Sequence, residues 1–311
     1  MLPARRDRPR VSAPTLAALG AGVALLVLSR LVATAQTAPR PSSLRATVWT
    51  FPDTPVGPMR AVALVPARLA AGARLPLLVA LHGWGETLRG VDRGAWGWAR
   101  DYELGASDAE LRHRPLRLEA FLGHVDPARF ATLRRDLAAR PYQGVVVLCP
   151  FTPDVLDADA GVLQRSFDRW VVGPLLERAR RELPVLPGRD ATGIDGVSLG
   201  GLHALEIGFA HPETFGVVGA LQPALHGRVG RVMTRWSQVA SRPSQRVRLV
   251  TSHDDIYRRD VAALSEAMRA VGVPHDVRVL AGPHDYVFNR GPGGVEMLLF
   301  HDRALRGMSA E

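Results

Sequence analysis

Continuous apolar runs alternate along the chain with stretches whose apolar positions recur at helical spacing. Leu77-Leu78-Val79-Ala80-Leu81, Val145-Val146-Val147-Leu148, Gly216–Leu221, Val247–Thr251 and Val277–Leu280 are runs of the first kind. Each has the character of a strand buried on both faces, where no polar alternation is needed. Val171–Glu182, Leu199–Ala210 and Arg258–Val271 are of the second kind, and the last ends at Gly272 as a C-cap should. Ahead of them all, Arg45–Phe51 and Arg60–Pro66 flank a Pro/Gly turn from Pro52 to Pro58, which predicts an antiparallel edge pair. Strands alternating with helices imply a mostly parallel sheet with helices on both faces. No internal repeat interrupts the pattern.

Two stretches break the alternation. The span from Trp84 to Gln143 is too long for one crossover helix, although Pro127 to Arg140 reads as a helix with proline at its first position. It also carries the aromatic cluster Trp96, Trp98 and Tyr102. The second stretch, Gln222 to Arg246, carries Trp236. Both follow strand ends, where an open α/β sheet places its ligand crevice. They read either as a lid or substrate wall or as packed loop aromatics.

The N-terminus has a different pattern. Arg5, Arg6, Arg8 and Arg10 precede 19 uncharged residues, Val11 to Ser29, and Ala33-Thr34-Ala35 follows. Charge, apolar run and A-x-A site in that order predict an export signal over residues 1–35. As helix the uncharged run would span about 28 Å, so an uncleaved membrane anchor is the alternative. Residues 36–43 read as a Pro/Thr/Ser linker, with the folded domain over 44–311. The expected location is extracytoplasmic, periplasmic or secreted.

Composition narrows the function classes. The formal charge of +9 is carried on the basic side by arginine alone, and residues 1–35 hold five arginines against one aspartate. What remains forms no basic helix or aromatic-interleaved stripe, so no nucleic-acid partner is implied. A single cysteine, Cys149, excludes an intrachain disulfide and any multi-thiolate metal site.

The chemistry centres on Asp195-Gly196-Val197-Ser198-Leu199-Gly200-Gly201, between a strand and a helix. Gly-x-Ser-x-Gly at such a junction is the nucleophile-elbow signature: the serine occupies a strained turn, and small neighbours let helix and strand approach. The elbow also opens a helix, which puts unpaired N–H groups beside the hydroxyl. Such a serine needs a base, an acid to orient the base, and donors for an oxyanion. In this architecture they follow as Ser, acid, His. The strand Val247–Thr251 runs into Ser252-His253-Asp254-Asp255, which offers two carboxylates at the next-to-last strand end. The last strand leads into Ala281-Gly282-Pro283-His284-Asp285-Tyr286. Of ten histidines, His203 and His211 belong to the helix after the elbow, His301 to the C-terminal helix, and His275 to the amino end of the last strand. His253 precedes the acid, so His284 is the candidate base. Upstream, Leu81-His82-Gly83-Trp84-Gly85 closes the third strand with a turn whose N–H groups could pair with that of Leu199.

These motifs together resemble the α/β-hydrolase group that includes esterase D, feruloyl-esterase, enterochelin-esterase and mycolyltransferase-type proteins. The resemblance rests on Leu75–Gly83, the elbow, His211-Pro212-Glu213-Thr214-Phe215, the Asp255 segment, Arg269–Pro274 and Gly282-Pro283-His284-Asp285. It covers most of Leu44–Arg306. It implies the α/β-hydrolase fold, with a mostly parallel central sheet of about eight strands, helices on both faces and a lid-like insertion after the third strand. It further implies Ser198 as nucleophile, His284 as base, and Gly83 or Trp84 with Leu199 as oxyanion donors. The family's acid is followed by a short loop and a helix, a placing that Asp255 fits better than Asp254. Gln222 departs from the family pattern, in which a serine is common after the sixth strand.

The reaction implied is acyl transfer from a small-molecule or glycan-linked carboxylic ester through an acyl-enzyme, with no metal or organic cofactor. Transfer to an acceptor other than water, peptide cleavage on the same fold, and a non-catalytic secreted binding module remain as alternatives.

Overall fold

The computed structural model describes residues 40–154, 160–239 and 243–308. The export or anchor segment over 1–35 and the first part of the linker lie outside the described residues. Of the remaining linker positions, Arg40 pairs with Glu103 at 2.8 Å, and the Ser43 hydroxyl donates to Asp108 at 2.5 Å. Among the described residues, no helix is long and apolar enough to cross a membrane.

Eight strands form one sheet: β1 (Leu44–Phe51), β2 (Met59–Pro66), β3 (Leu77–Leu81), β4 (Val146–Pro150), β5 (Thr192–Gly196), β6 (Val217–Leu221), β7 (Arg246–Asp254) and β8 (Asp276–Pro283). Their spatial order is β1-β2-β4-β3-β5-β6-β7-β8. β2 is antiparallel to β1 and β4, and every later pairing is parallel. The central strands β3, β4, β5 and β6 are buried at every position, which is why β3, β4 and β6 read as continuous apolar runs. β8 closes the edge, and its outward Val277 and Val279 are exposed.

Adjacent residues of β5 show how helices cover both faces. A methyl on Gly193 would meet His301 of the helix Gly294–Ala304, whereas Ile194 packs at Gly208 of the helix Leu199–Ala210. Neighbouring strand residues point to opposite faces, so these two helices lie on opposite sides of the sheet. The helix read from Val171 begins earlier: Ala160–Trp170 runs through a π turn at Val171–Leu175 into Leu176–Glu182. Buried Phe167 and Trp170 anchor its added turns.

The insertion between β3 and β4 is built into the body and is not a free flap. Trp98 and Tyr102 are buried, and the Trp98 indole donates to the Leu81 carbonyl at 3.0 Å. The helix Leu104–Arg112 packs against Gly294–Ala304. Of the two readings of the aromatic cluster, packing therefore describes Trp98 and Tyr102.

Strand register gathers the carboxyl ends. Leu81 of β3 lies opposite Gly196 of β5, Leu221 of β6 opposite Val250 of β7, and Asp254 opposite Pro283 of β8. The His82-Gly83 turn, the elbow and the two loops after β7 and β8 thus emerge along one edge of the sheet. A register shift between Ser252 and Asp254 interrupts the β7–β8 pairing at that edge, a place where bulges are common next to a site.

Candidate active site

Ser198 occupies the turn between β5 and the helix Leu199–Ala210, with φ +56° and ψ −119°. A non-glycine residue there costs of order 1–3 kcal/mol and persists only where its surroundings enforce it. They do so here by close packing. A Cβ on Gly200 would fall 2.6 Å from the His82 carbonyl oxygen, and one on Gly196 would collide with the Gly200 carbonyl. The Ser198 amide donates to Leu221 at 3.0 Å, and its carbonyl accepts from Ala224 at 2.9 Å. The hydroxyl is left to face the loop after β8.

His284 in that loop lies with Nε2 3.0 Å from Ser198 Oγ and Nδ1 2.9 Å from Asp255 Oδ1. An ionised carboxylate only accepts, so Nδ1 carries the proton and Nε2 presents its lone pair to the serine. The Asp255 carboxylate is fully buried, and its other contacts hold it in place. Thr251 Oγ1 donates to Oδ2 at 2.7 Å, and the Tyr257 amide donates to Oδ1 at 3.0 Å. The Tyr257 ring stands edge-on to His284 with centroids 5.2 Å apart. Tyr257 thereby orients both the acid and the imidazole.

Asp254, one residue earlier, ends β7 on the exposed side. His253 is exposed as well. Asp285 caps the short helix Tyr286–Phe288, accepting from the Phe288 amide at 2.8 Å. His203 is buried with Nε2 against the Pro153 carbonyl at 3.2 Å, and His275 meets Ser265 at 2.8 Å.

On the opposite side of Ser198 lies the turn after β3. The helix Trp84–Thr87 starts there, and Leu199 starts the helix after the elbow. First-turn N–H groups have no intrahelical acceptor, and Trp84 and Leu199 are the first residues of their helices. Gly83 differs: its N–H donates to Tyr102 Oη at 3.1 Å. Of the two sequence candidates in this turn, Gly83 has its N–H bonded to Tyr102 and Trp84 starts the helix. His82 is buried and clamps the turn. Its Nε2 accepts from the Thr152 amide at 2.8 Å, so Nδ1–H donates to the Gly83 carbonyl at 2.9 Å. Burial pushes its pKa down to about 4 and keeps the ring neutral.

Several residues of this assembly carry no sequence motif. Glu86, Tyr102, Tyr286 and Tyr257 have partners in other segments, and Thr251 reaches Asp255 four residues on. Gln222, noted only as a departure, is buried in the left-handed region with φ +43°. Its side-chain amide donates to Ser252 Oγ at 2.7 Å and to the Pro283 carbonyl at 3.1 Å. It thus ties the ends of β6, β7 and β8 together beside His284. A groove of about 420 Å³ between Phe51, Met59, Arg60 and Arg89 contains none of the candidate residues. Among the described residues, no group of three or more His, Cys, Asp or Glu could hold a metal ion.

No family model matches the sequence, and no curated protein matches it significantly. Solved structures do match. A ferulic acid esterase superposes with a TM-score of 0.61 at 17% identity, covering 85% of this chain and 99% of its own. An S-formylglutathione hydrolase from Agrobacterium tumefaciens gives 0.56 at 17% identity, with 85% and 97% covered. The enterobactin esterase of Shigella flexneri gives 0.55 at 18% identity, with 83% of this chain and 59% of that one covered. Strand order, the elbow at the end of β5 and these superpositions agree: the chain has the α/β-hydrolase fold.

Proposed function

We propose that the protein is a serine esterase in which Ser198, His284 and Asp255 act as a catalytic triad and Trp84 and Leu199 supply the oxyanion donors. The observation that carries this reading is the hydrogen-bonded line from Asp255 through His284 to Ser198, with spacings of 2.9 and 3.0 Å, ending at a serine of positive φ. Ser198 Oγ attacks the ester carbonyl carbon as its proton passes to His284 Nε2, and Asp255 stabilises the imidazolium. The carbonyl oxygen gains negative charge and accepts from the Trp84 and Leu199 N–H groups, each such donor contributing about 3–4 kcal/mol. Collapse breaks the bond to the alkoxide, which takes the proton from His284. Water, deprotonated by the same nitrogen, then attacks the acyl-enzyme and releases the acid.

The test is a chain-length series of activated esters with glycosyl esters added, and with feruloyl esters and a glutathione thioester included because fold neighbours are named a ferulic acid esterase and an S-formylglutathione hydrolase. Hydrolysis of at least one member, absent in Ser198→Ala, is expected. No hydrolysis of any member, with no labelling by a fluorophosphonate, would overturn the reading in favour of a binding module. Export is supported by the arginine cluster, the uncharged run to Ser29 and Ala33-Thr34-Ala35. N-terminal sequencing is expected to begin near Gln36, or to find the intact chain in membranes; an intact Met1 in the soluble cytoplasmic fraction contradicts both.

A further inference from the structure

We infer that Tyr102, braced by Glu86, is a positioning residue that anchors Gly83 at the start of the oxyanion turn, while His82 orients the Gly83–Trp84 peptide, and that it couples this turn to the His284 loop. This rests on the esterase reading above. Three observations lead to it.

The first is the Gly83 residue itself, which is held at both ends. Its carbonyl accepts from His82 Nδ1 at 2.9 Å, and its N–H donates to Tyr102 Oη at 3.1 Å. In a trans peptide the N–H points opposite to the preceding carbonyl. Fixing the Gly83 carbonyl therefore fixes the direction of the Trp84 N–H, and occupying the Gly83 N–H removes it as a competitor. The turn stands directly against the nucleophile, since a methyl on Gly83 would lie 3.5 Å from Ser198 Cβ.

The second is the direction of every hydrogen bond in the brace. Tyr102 Oη accepts from Gly83, so its own proton goes to Glu86 Oε2. Tyr286 Oη donates to Glu86 Oε1 at 2.6 Å. A carboxylate only accepts, so the chain of donors has one arrangement and cannot reverse. Burial and the Glu86 charge push the Tyr102 phenol well above its usual range, so it remains a donor. Trp98 packs edge-on to the Tyr102 ring at 4.9 Å and fixes its position.

The third is what the brace joins. Glu86 is only 1% exposed, and a carboxylate that deeply buried is strongly destabilising unless well bonded. Its two partners are Tyr102 of the insertion and Tyr286, two residues beyond His284. One buried carboxylate therefore links the oxyanion turn to the loop that carries the base. If the carboxylate served packing alone, an apolar side chain would fill the space without that cost.

The test compares Tyr102→Phe and Glu86→Gln with wild type on one activated ester, with a boronic acid that mimics the tetrahedral intermediate and with the product acid. Circular dichroism and a thermal melt check each fold. Tyr102→Phe is expected to lower kcat about 10- to 100-fold, somewhat below the loss of an oxyanion donor itself, with KM within about twofold. Its boronate Ki should rise by a similar factor, while product affinity stays unchanged. Glu86→Gln, which still accepts from Tyr102 through its amide oxygen, should lose less. Should Tyr102→Phe fail to fold, the same split in Glu86→Gln decides. Unchanged kcat and boronate affinity, a loss confined to KM, or unfolding of both variants would overturn the inference. Wild type without esterase activity would instead overturn the reading on which it rests.

Discussion

Among the described residues, two histidine–aspartate pairs have nearly equal lengths. His284 lies 2.9 Å from Asp255, and His301 lies 3.0 Å from Asp195. Asp195 is even the nearer of the two carboxylates in sequence to the elbow. The pairs differ in what the second ring nitrogen meets. His284 turns its Nε2 to the Ser198 hydroxyl at the open edge of the sheet, and its side chain is 18% exposed. His301 is wholly buried, its Nδ1 has no hydrogen-bond partner, and it faces the Cα of Gly193. Burial lowers the His301 pKa. Asp195 is held by more than the histidine: it accepts from the Gly196 amide at 2.7 Å and lies 3.7 Å from Arg248, itself pushed down to about 10 by burial. A His–Asp contact is therefore no sign of chemistry by itself. What separates a site from a structural clamp is a second ring nitrogen aimed at a nucleophile, where a substrate can arrive.

Exchanging the same substitution between the pairs gives the largest contrast. Asp255→Asn should lower kcat/KM by up to about 10⁴-fold with little change in melting temperature, as the amide no longer fixes the imidazole tautomer. Asp195→Asn should do the reverse. Removing the Asp195 charge leaves buried Arg248 without one of its two carboxylates. Breaking such a buried ion pair costs about 3–5 kcal/mol, roughly 10 °C in a domain of this size, while the folded fraction keeps its kcat. Thermal melts and initial rates on one ester measure both; equal kinetic losses would erase the distinction.

The buried histidines should also show themselves in acid. Burial holds His82 near a pKa of about 4 and His203 near about 3, each below the ordinary 6.5. Between those values the unfolded chain binds a proton that the folded chain does not. Stability is then full above pH 6.5 and falls by about 1.4 kcal/mol per pH unit per histidine as the pH drops toward the folded value. Urea midpoints from pH 7 to 5 should fall accordingly, and His203→Gln should flatten the slope by about one proton; an unchanged slope would contradict the burial account.

The smallest effect belongs to Asp254→Asn. Its exposed carboxylate at the end of β7 takes no part in the line to Ser198. A change in kcat/KM within about threefold is expected, and a severe loss there with a near-normal Asp255→Asn would reverse the assignment of the acid.

The sheet was legible in the sequence because strands covered on both faces must be apolar throughout, as at Leu77–Leu81 and Val146–Pro150. β5 was not legible by pattern, since Thr192-Gly193-Ile194-Asp195-Gly196 holds two glycines and a charge. Only the elbow that follows it marked it as a strand. The added turns Ala160–Trp170 were missed because their stability comes from burying Phe167 and Trp170 against distant residues. At the site, Ser198, Asp255 and His284 stand at strand ends in a fixed chain order, which a sequence displays. Glu86 and Tyr286 meet across 200 residues, and nothing local to either announces the contact.

Covalent trapping tests the central claim most directly. Wild type, His284→Ala and His301→Gln are exposed to a fluorophosphonate, and the adduct is mapped by peptide mass spectrometry. The account predicts one adduct per chain on the peptide carrying Ser198, nearly abolished in His284→Ala and kept by folded His301→Gln. An adduct on another serine, or equal labelling of wild type and His284→Ala, would contradict it.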